Sequence, residues 1–362
     1  MDYAFEVDES ASEAVRRITD EQVGKAVARL EEAGDADFEA AVHDCRKRAK
    51  KLRGLIRLVR PALGDAYAPA NEAFRDAARQ LSGARDADAA LATFDDLVAA
   101  SADRLPEGGL RSVRAGLAAR AEAAGRGAED RQARTGQAVD LFRAGRGHVD
   151  QADLDADGWA AIGPGLERTY RAGRRGLARI TDAGDGAADP QAVHEWRKRV
   201  KDAWYQVRLL RPAAPSVLGP LVGRFHDLAD ALGDAHDLVV IGERLQATPE
   251  RFGGEGPVGA ACDLAEARRT ELEQRAVALG LRLYAEKPPA YRGRLSVYWR
   301  VWHEAGAEEP VGALADLFPP TDDLDALDLE QLRDRAGEAA LPGRLHPTES
   351  ELIGELRAAG AR

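Results

Sequence analysis

The chain has 362 residues, 44% hydrophobic and 31% charged, with 51 Lys and Arg against 62 Asp and Glu. That is enough for about two domains and a large core, which excludes a disordered or fibrous chain. The net charge of −11 repels polyanions unless the positive charge is concentrated in one place.

Cys45 and Cys262 are too few for a disulfide framework or, alone, a four-ligand zinc site. No apolar run approaches the ~18 residues of a membrane span. The stretch 1–10 is acidic where a signal peptide is basic, so a reduced, cytoplasmic setting is expected.

Apolar positions recur at three- and four-residue spacing, strand alternation is nearly absent, and prolines fall between long helix-compatible stretches. The expected fold is all-α. In chain order, helices are predicted over about 10–33, 37–60, 67–101 and 108–147. A second series follows at about 160–183, 190–211, 216–247 and 257–304, the last broken at Pro288-Pro289. Between the series, Asp153-Leu-Asp155-Ala-Asp157-Gly158 imitates the start of a calcium loop. Position 12 of that loop would be Pro164 where a bidentate acid is needed, so the segment reads as an acidic linker. Residues 306–362 read as an acidic, proline-containing linker and a helical tail, with Thr348 a candidate N-cap.

The two series are copies of one unit. Residues 42–61 align with 193–212 at a constant offset of 151, and ten of the twenty positions are identical, including His43/His194, Arg46/Arg197, Lys47/Lys198, Arg48/Arg199 and Lys50/Lys201. The offset continues to Phe74/Phe225, Asp76/Asp227, Leu81/Leu232 and Asp86/Asp237. A duplicated four-helix unit implies two tandem four-helix bundles related by a pseudo-twofold, with repeats over about 10–150 and 160–305.

On a helical wheel, His43, Arg46, Lys50, Arg53, Arg57 and Arg60 share one arc, beside an apolar face of Cys45, Ala49, Leu52, Ile56 and Val59. In the second copy the stripe is His194, Arg197, Lys201, Arg208 and Arg211, beside Trp196, Val200, Ala203, Val207 and Leu210. The net charge is +7 over 42–60 and +4 over 193–212, which predicts that the first copy dominates. Five of the seven lysines, Lys47, Lys50, Lys51, Lys198 and Lys201, lie in these two segments. Like charges at i,i+3 and i,i+4 destabilise a helix, so a cost kept in both copies points to an anion-binding surface. Two stripes suit a long, repeating polyanion better than a single phosphate.

The motifs His43-x-x-Arg46-Lys47-x-x-Lys50-Lys51-Leu52-Arg53 and Leu81-Ser-Gly-Ala-Arg85-Asp86, with their counterparts His194-Glu-Trp-Arg197-Lys198-Arg-Val-Lys201 and Leu232-Gly-Asp-Ala-His236-Asp237, resemble the CHAD family of histidine-containing α-helical domains. The resemblance covers residues 5–305. It implies two four-helix bundles facing each other across a basic central pore, non-catalytic binding of inorganic polyphosphate, and association with polyphosphate granules. The implied polyphosphate site comprises His43, Arg46, Lys47, Lys50, Lys51, Arg53 and Arg57 from the first copy. From the second it takes His194, Arg197, Lys198, Lys201 and Arg208, with lesser contributions from Arg174 and Arg175. No Glu-x-Glu-x-Lys motif of an accompanying triphosphate-tunnel domain is found near the start. Within these motifs three cations of the first copy are lost in the second: Lys51 is matched by Asp202, Arg53 by Trp204 and Arg85 by His236.

Surrounded by cations, His43 and His194 are expected to have depressed pKa values and stay neutral, either donating to a phosphate oxygen or bracing a helix. Cys45, on the apolar face, is expected in the core. Asp86 and Asp237 read either as orienting basic side chains or as capping a helix. No P-loop, Ser-His-Asp ordering or two-metal carboxylate set emerges, so no catalytic residue, cofactor or metal is expected. Trp204 and Tyr205 are the only aromatics interleaved with the stripes, and with the overall acidity this weighs against nucleic acid as the partner.

Overall fold

A computed structural model describes residues 3–34, 37–81, 85–101, 110–124, 128–182 and 189–304. It is all-helical, without a strand among the described residues. The chain forms two compact units, 1–300 and 301–362. Of the second, only 301–304 are described, so the expected tail helix and its Thr348 cap lie outside the described residues, as do the side chains of Arg85 and Asp86.

The helices are α1 (Ala11–Glu31), α2 (Phe38–Leu58), α3 (Arg60–Leu63), α4 (Tyr67–Gln80), α5 (Arg85–Ala100), α6 (Arg111–Ala124), α7 (Ala128–Asp150), α8 (Gly158–Thr181), α9 (Pro190–Leu210), α10 (Pro215–Ala247), α11 (Glu255–Leu283) and α12 (Pro288–Glu304). Local chemistry sets several of the starts. Ser10 and Glu13 form a capping box on α1, the Glu13 N–H donating to Ser10 Oγ at 3.2 Å and the Ser10 N–H to Glu13 Oε2 at 2.8 Å. Pro190 opens α9 while Asp189 accepts from the Gln191 N–H at 3.0 Å. The helix predicted over 67–101 is two helices, α4 and α5, and that over 108–147 is α6 and α7. Periodicity alone did not mark these breaks, because both halves keep helical spacing on either side of them.

Helices α1, α2, α4 and α7 pack in a closed ring, each against the next. Helices α8, α9, α10 and α11 form a second. Both apolar faces of the basic helices are buried: Cys45, Ala49, Leu52, Ile56 and Val59 in the first ring, Trp196, Val200, Ala203, Val207 and Leu210 in the second. Helices α5 and α6 pack on each other, α5 also against α10 and α6 against α11, around Phe94, Val113, Leu117, Ile241 and Phe252. The acids of the calcium-like segment serve the fold. Asp157 accepts the Ala11 N–H at 2.6 Å, and Asp153 pairs with Arg16 at 3.0 Å.

The rings meet where α2 lies against α8 and α9. Two glycines permit the approach. At Gly54 of α2 an added Cβ would stand 2.8 Å from the Tyr205 Cβ of α9. At Gly165 of α8 it would stand 1.7 Å from the Leu58 carbonyl oxygen of α2, a backbone atom that cannot rotate away. The residues before α1 seal the same seam. The Tyr3 hydroxyl donates to the Lys51 carbonyl at 2.8 Å, and the Phe5 N–H to the Leu209 carbonyl at 3.0 Å. Gly165→Ala is therefore expected to destabilise the fold by about 1–3 kcal/mol through overpacking. The exposed Gly24→Ala in α1, with open space around its Cβ, should stabilise by about 0.5–1 kcal/mol. Chemical denaturation of both variants checks the contrast.

Candidate functional site

The apolar faces of α2 and α9 are held in separate rings, so their basic stripes are aimed at each other across the seam. Between them lies a pocket of about 410 Å3. Its walls are Lys50, Arg53 and Arg57 from α2, and His194, Glu195, Arg197, Lys198, Arg199, Lys201, Asp202 and Tyr205 from α9. Seven cations stand against two carboxylates.

Both carboxylates are engaged. Glu195 Oε1 accepts from Lys198 Nζ at 2.6 Å. Asp202 is buried, accepts a short hydrogen bond from Arg57 across the seam, and accepts from Arg199 Nη1 at 3.3 Å. Burial raises the Asp202 carboxyl above its ordinary pKa, opposed by the guanidiniums of Arg57 and Arg199. Arg53 donates to the Asn71 amide oxygen at 3.1 Å, and burial followed by the like charge of Arg57 lowers its pKa. Arg197 passes beside Gly233 of α10, and its Nε is buried without a hydrogen-bond partner. Lys201 is brought down to about 8 by burial first and the like charge of Arg197 second, while Asp230, Asp234 and Asp237 of α10 pull the other way.

His194 packs on His236 of α10, ring centres 4.4 Å apart. Burial first, then Lys198 and Arg197, lower the His194 pKa, the direction expected from its cationic surroundings. Burial, Arg197 and His194 lower that of His236. The His194 Nδ1 is buried with no hydrogen-bond partner. Two unsatisfied buried polar atoms on residues of one pocket wall are costly to the free protein.

The structure thus gathers Lys50, Arg53, Arg57, His194, Arg197, Lys198 and Lys201 and separates the other expected site residues from them. His43, Arg46 and Lys47, in the first half of α2, do not line the pocket. Lys51 and Arg208 flank the Tyr3 ring, at 5.5 and 5.8 Å from its centre, and Arg208 also stacks 5.3 Å from Trp204. Arg174 and Arg175 line a separate pocket of about 400 Å3 with Leu281 and Pro288, where Arg174 donates to the Tyr284 carbonyl at 3.1 Å. More pocket cations come from α9 than from α2, the reverse of the ordering by helix charge. The wheel missed Arg199, Asp202 and His236. Arg199 is identical to Arg48 in the repeat, the one signal that could have marked it.

Cys45 is buried, donates to the Ala26 carbonyl at 3.3 Å, and burial pushes its thiol up to about 12, which makes it a poor nucleophile. Among the described residues, no cluster of three or more His, Cys, Asp or Glu is placed to hold a metal, and no helix is long and apolar enough to cross a membrane.

The sequence pattern described as the CHAD domain matches residues 17–246, more than half of the chain. Among solved structures, the crystal structure of the CHAD domain from the plant Ricinus communis has a TM-score of 0.53 at 19% identity. The match covers 77% of this chain and 94% of that one. At that identity the likeness shows the fold. No curated protein matches this chain.

The histidine pair makes stability depend on pH. The unfolded chain protonates these imidazoles near 6.5, whereas the folded chain does so only at lower pH. Their contribution is therefore fully present above about 6.5 and lost as pH falls below it. Denaturation midpoints at pH 7.5 and 5.5 should show the loss, and His194→Gln with His236→Gln should flatten it.

Proposed function

The chain belongs to the CHAD family, and from that premise we propose that it binds inorganic polyphosphate, without turning it over, in the pocket between α2 and α9. One observation carries the reading. The pocket's two carboxylates are already paired within the protein, while seven Lys and Arg side chains line the same walls. Phosphate oxygens accept what those groups offer. Arg53, Arg57, Arg197 and Arg199 supply planar donors, Lys50, Lys198 and Lys201 mobile point charges, and neutral His194 one further hydrogen bond.

On this reading the two helix rings are the two bundles of a pseudo-twofold pair, and the pocket is part of a basic pore between them. A chain with a net charge of −11 repels polyanions over much of its surface, so the ligand is drawn to a seam where cations dominate. Association with polyphosphate granules follows from such affinity. Purified protein incubated with polyphosphate is expected to release no phosphate, and steady release would replace binding with hydrolysis.

Two further measurements test the site. Affinity for polyphosphate should fall linearly with the logarithm of salt concentration, because binding releases condensed counterions. Lys50→Glu with Lys198→Glu, exposed positions on opposite walls, should weaken binding on the order of a hundredfold, at ~1.5 kcal/mol per charge-assisted contact. Arg174→Glu with Arg175→Glu, in the separate pocket, should change it little. Equal losses in the two double variants would move the site away from the α2–α9 seam.

A further inference from the structure

Lys201 differs from the other lysines in its surroundings. It lines the α2–α9 pocket one turn after Arg197, with Lys50 and Arg53 on the facing wall and Asp230, Asp234 and Asp237 behind it on α10. Helix α8, the remaining neighbour of α9, places no residue in the pocket wall. Lys201 is half-buried and makes no hydrogen bond or ion pair with a described residue. Lys198, in the same wall, is exposed enough to reach Glu195.

We propose that Lys201 is an acylation site, taking its acyl group from small anionic donors, acyl phosphates, that the cationic walls of the pocket collect. With its pKa near 8, roughly a quarter of the Lys201 amine is neutral at pH 7.5, against about a thousandth for an ordinary lysine. The neutral nitrogen attacks the carbonyl carbon of the donor and forms the amide bond. The bond from that carbon to the phosphate oxygen breaks, its electron pair leaves with the phosphate, and the proton lost by nitrogen ends on the departing phosphate. The guanidinium of Arg197 and the ammonium of Lys198 stand where they stabilise that leaving charge. The amide carries no charge, so each event removes one cation from the pocket wall. The consequence for polyphosphate, a lowered affinity, rests on the function proposed above, whereas the acylation does not.

The test treats the whole 362-residue chain with acetyl phosphate in the absence of polyphosphate and follows each lysine by mass spectrometry. Lys25 and Lys287 are exposed and outside the pocket, and serve as internal references. At pH 7.5, Lys201 should be acetylated on the order of tenfold faster than either, once the weaker nucleophilicity of a less basic amine is allowed for. Its rate should level off with a midpoint near 8. A Lys201 that reacts no faster than the references, or whose rate climbs with pH as theirs do, overturns the proposal.

An uncharged acetyl ester separates reactivity from collection. The lead of Lys201 should shrink with that reagent, and an undiminished lead would overturn collection by the pocket. Arg197→Gln removes the like charge, and should slow Lys201 acetylation at pH 7.5 and move its midpoint upward. An unchanged profile in a variant still helical by circular dichroism counts against the proposal. Polyphosphate binding by the unmodified protein is measured separately, so a failure there leaves the acetylation result standing, and the reverse also holds.

Discussion

The crossing of α2 and α9 is the contact on which the rest of the molecule depends. The two helices carry the densest positive charge in an acidic chain, and yet they pack side by side at the seam. Gly54 lets Tyr205 approach the α2 backbone, and Gly165 lets α8 lie on the Leu58 carbonyl. Neither approach would survive a single added carbon without displacement. The pocket is the space left when the helix backbones are brought together there and their long side chains cannot follow.

Duplication creates an electrostatic problem at such a crossing, which the sequence solves differently at its two ends. Arg57 and Arg208 are repeat partners, as are Lys51 and Asp202. On one side Arg57 meets Asp202, and the pair is completed by Arg199. On the other, Lys51 and Arg208 retain their like charges, and the Tyr3 ring stands within 5.5 and 5.8 Å of them. An aromatic face is a modest attractor for either cation and keeps both partly desolvated side chains in place. Gly54 and Tyr205 are repeat partners too, and they meet each other, small against large. The departures from an even duplication are therefore what allow two similar basic helices to touch.

Charge count and useful charge are different quantities here. Helix α2 is the more basic, but part of its cationic surface lies beyond the pocket and Arg57 is tied to Asp202. Helix α9 gives up charge at Asp202 and Trp204, and still supplies the larger share of the pocket wall, including Arg197 and His194 with their unsatisfied buried nitrogens. The depressed pKa values of His194, His236 and Lys201 share one cause: burial among like charges that a bound anion would relieve.

The sequence by itself determined the helical class, the ends of most of the long helices, the duplication, and the division of each basic helix into a buried face and a charged stripe. Those follow from periodicity, capping chemistry and internal identity, which are local or self-referential. It also indicated the break at Pro288, where the Pro288-Pro289 pair opens α12, whereas the single prolines Pro164 and Pro220 are carried inside α8 and α10. Tertiary structure decided which members of the stripes share a pocket: Lys50, Arg53 and Arg57 do, while Arg46, Arg60 and Arg208 do not. It made Asp202 a bridge where the repeat alignment shows only a lost cation, and it brought His236 onto His194 from another helix. A helical wheel gives the direction of a side chain around its own axis. Where two axes cross, and what stands opposite, depends on glycines, ring packing and an N-terminal segment far away in sequence, and no single helix encodes that.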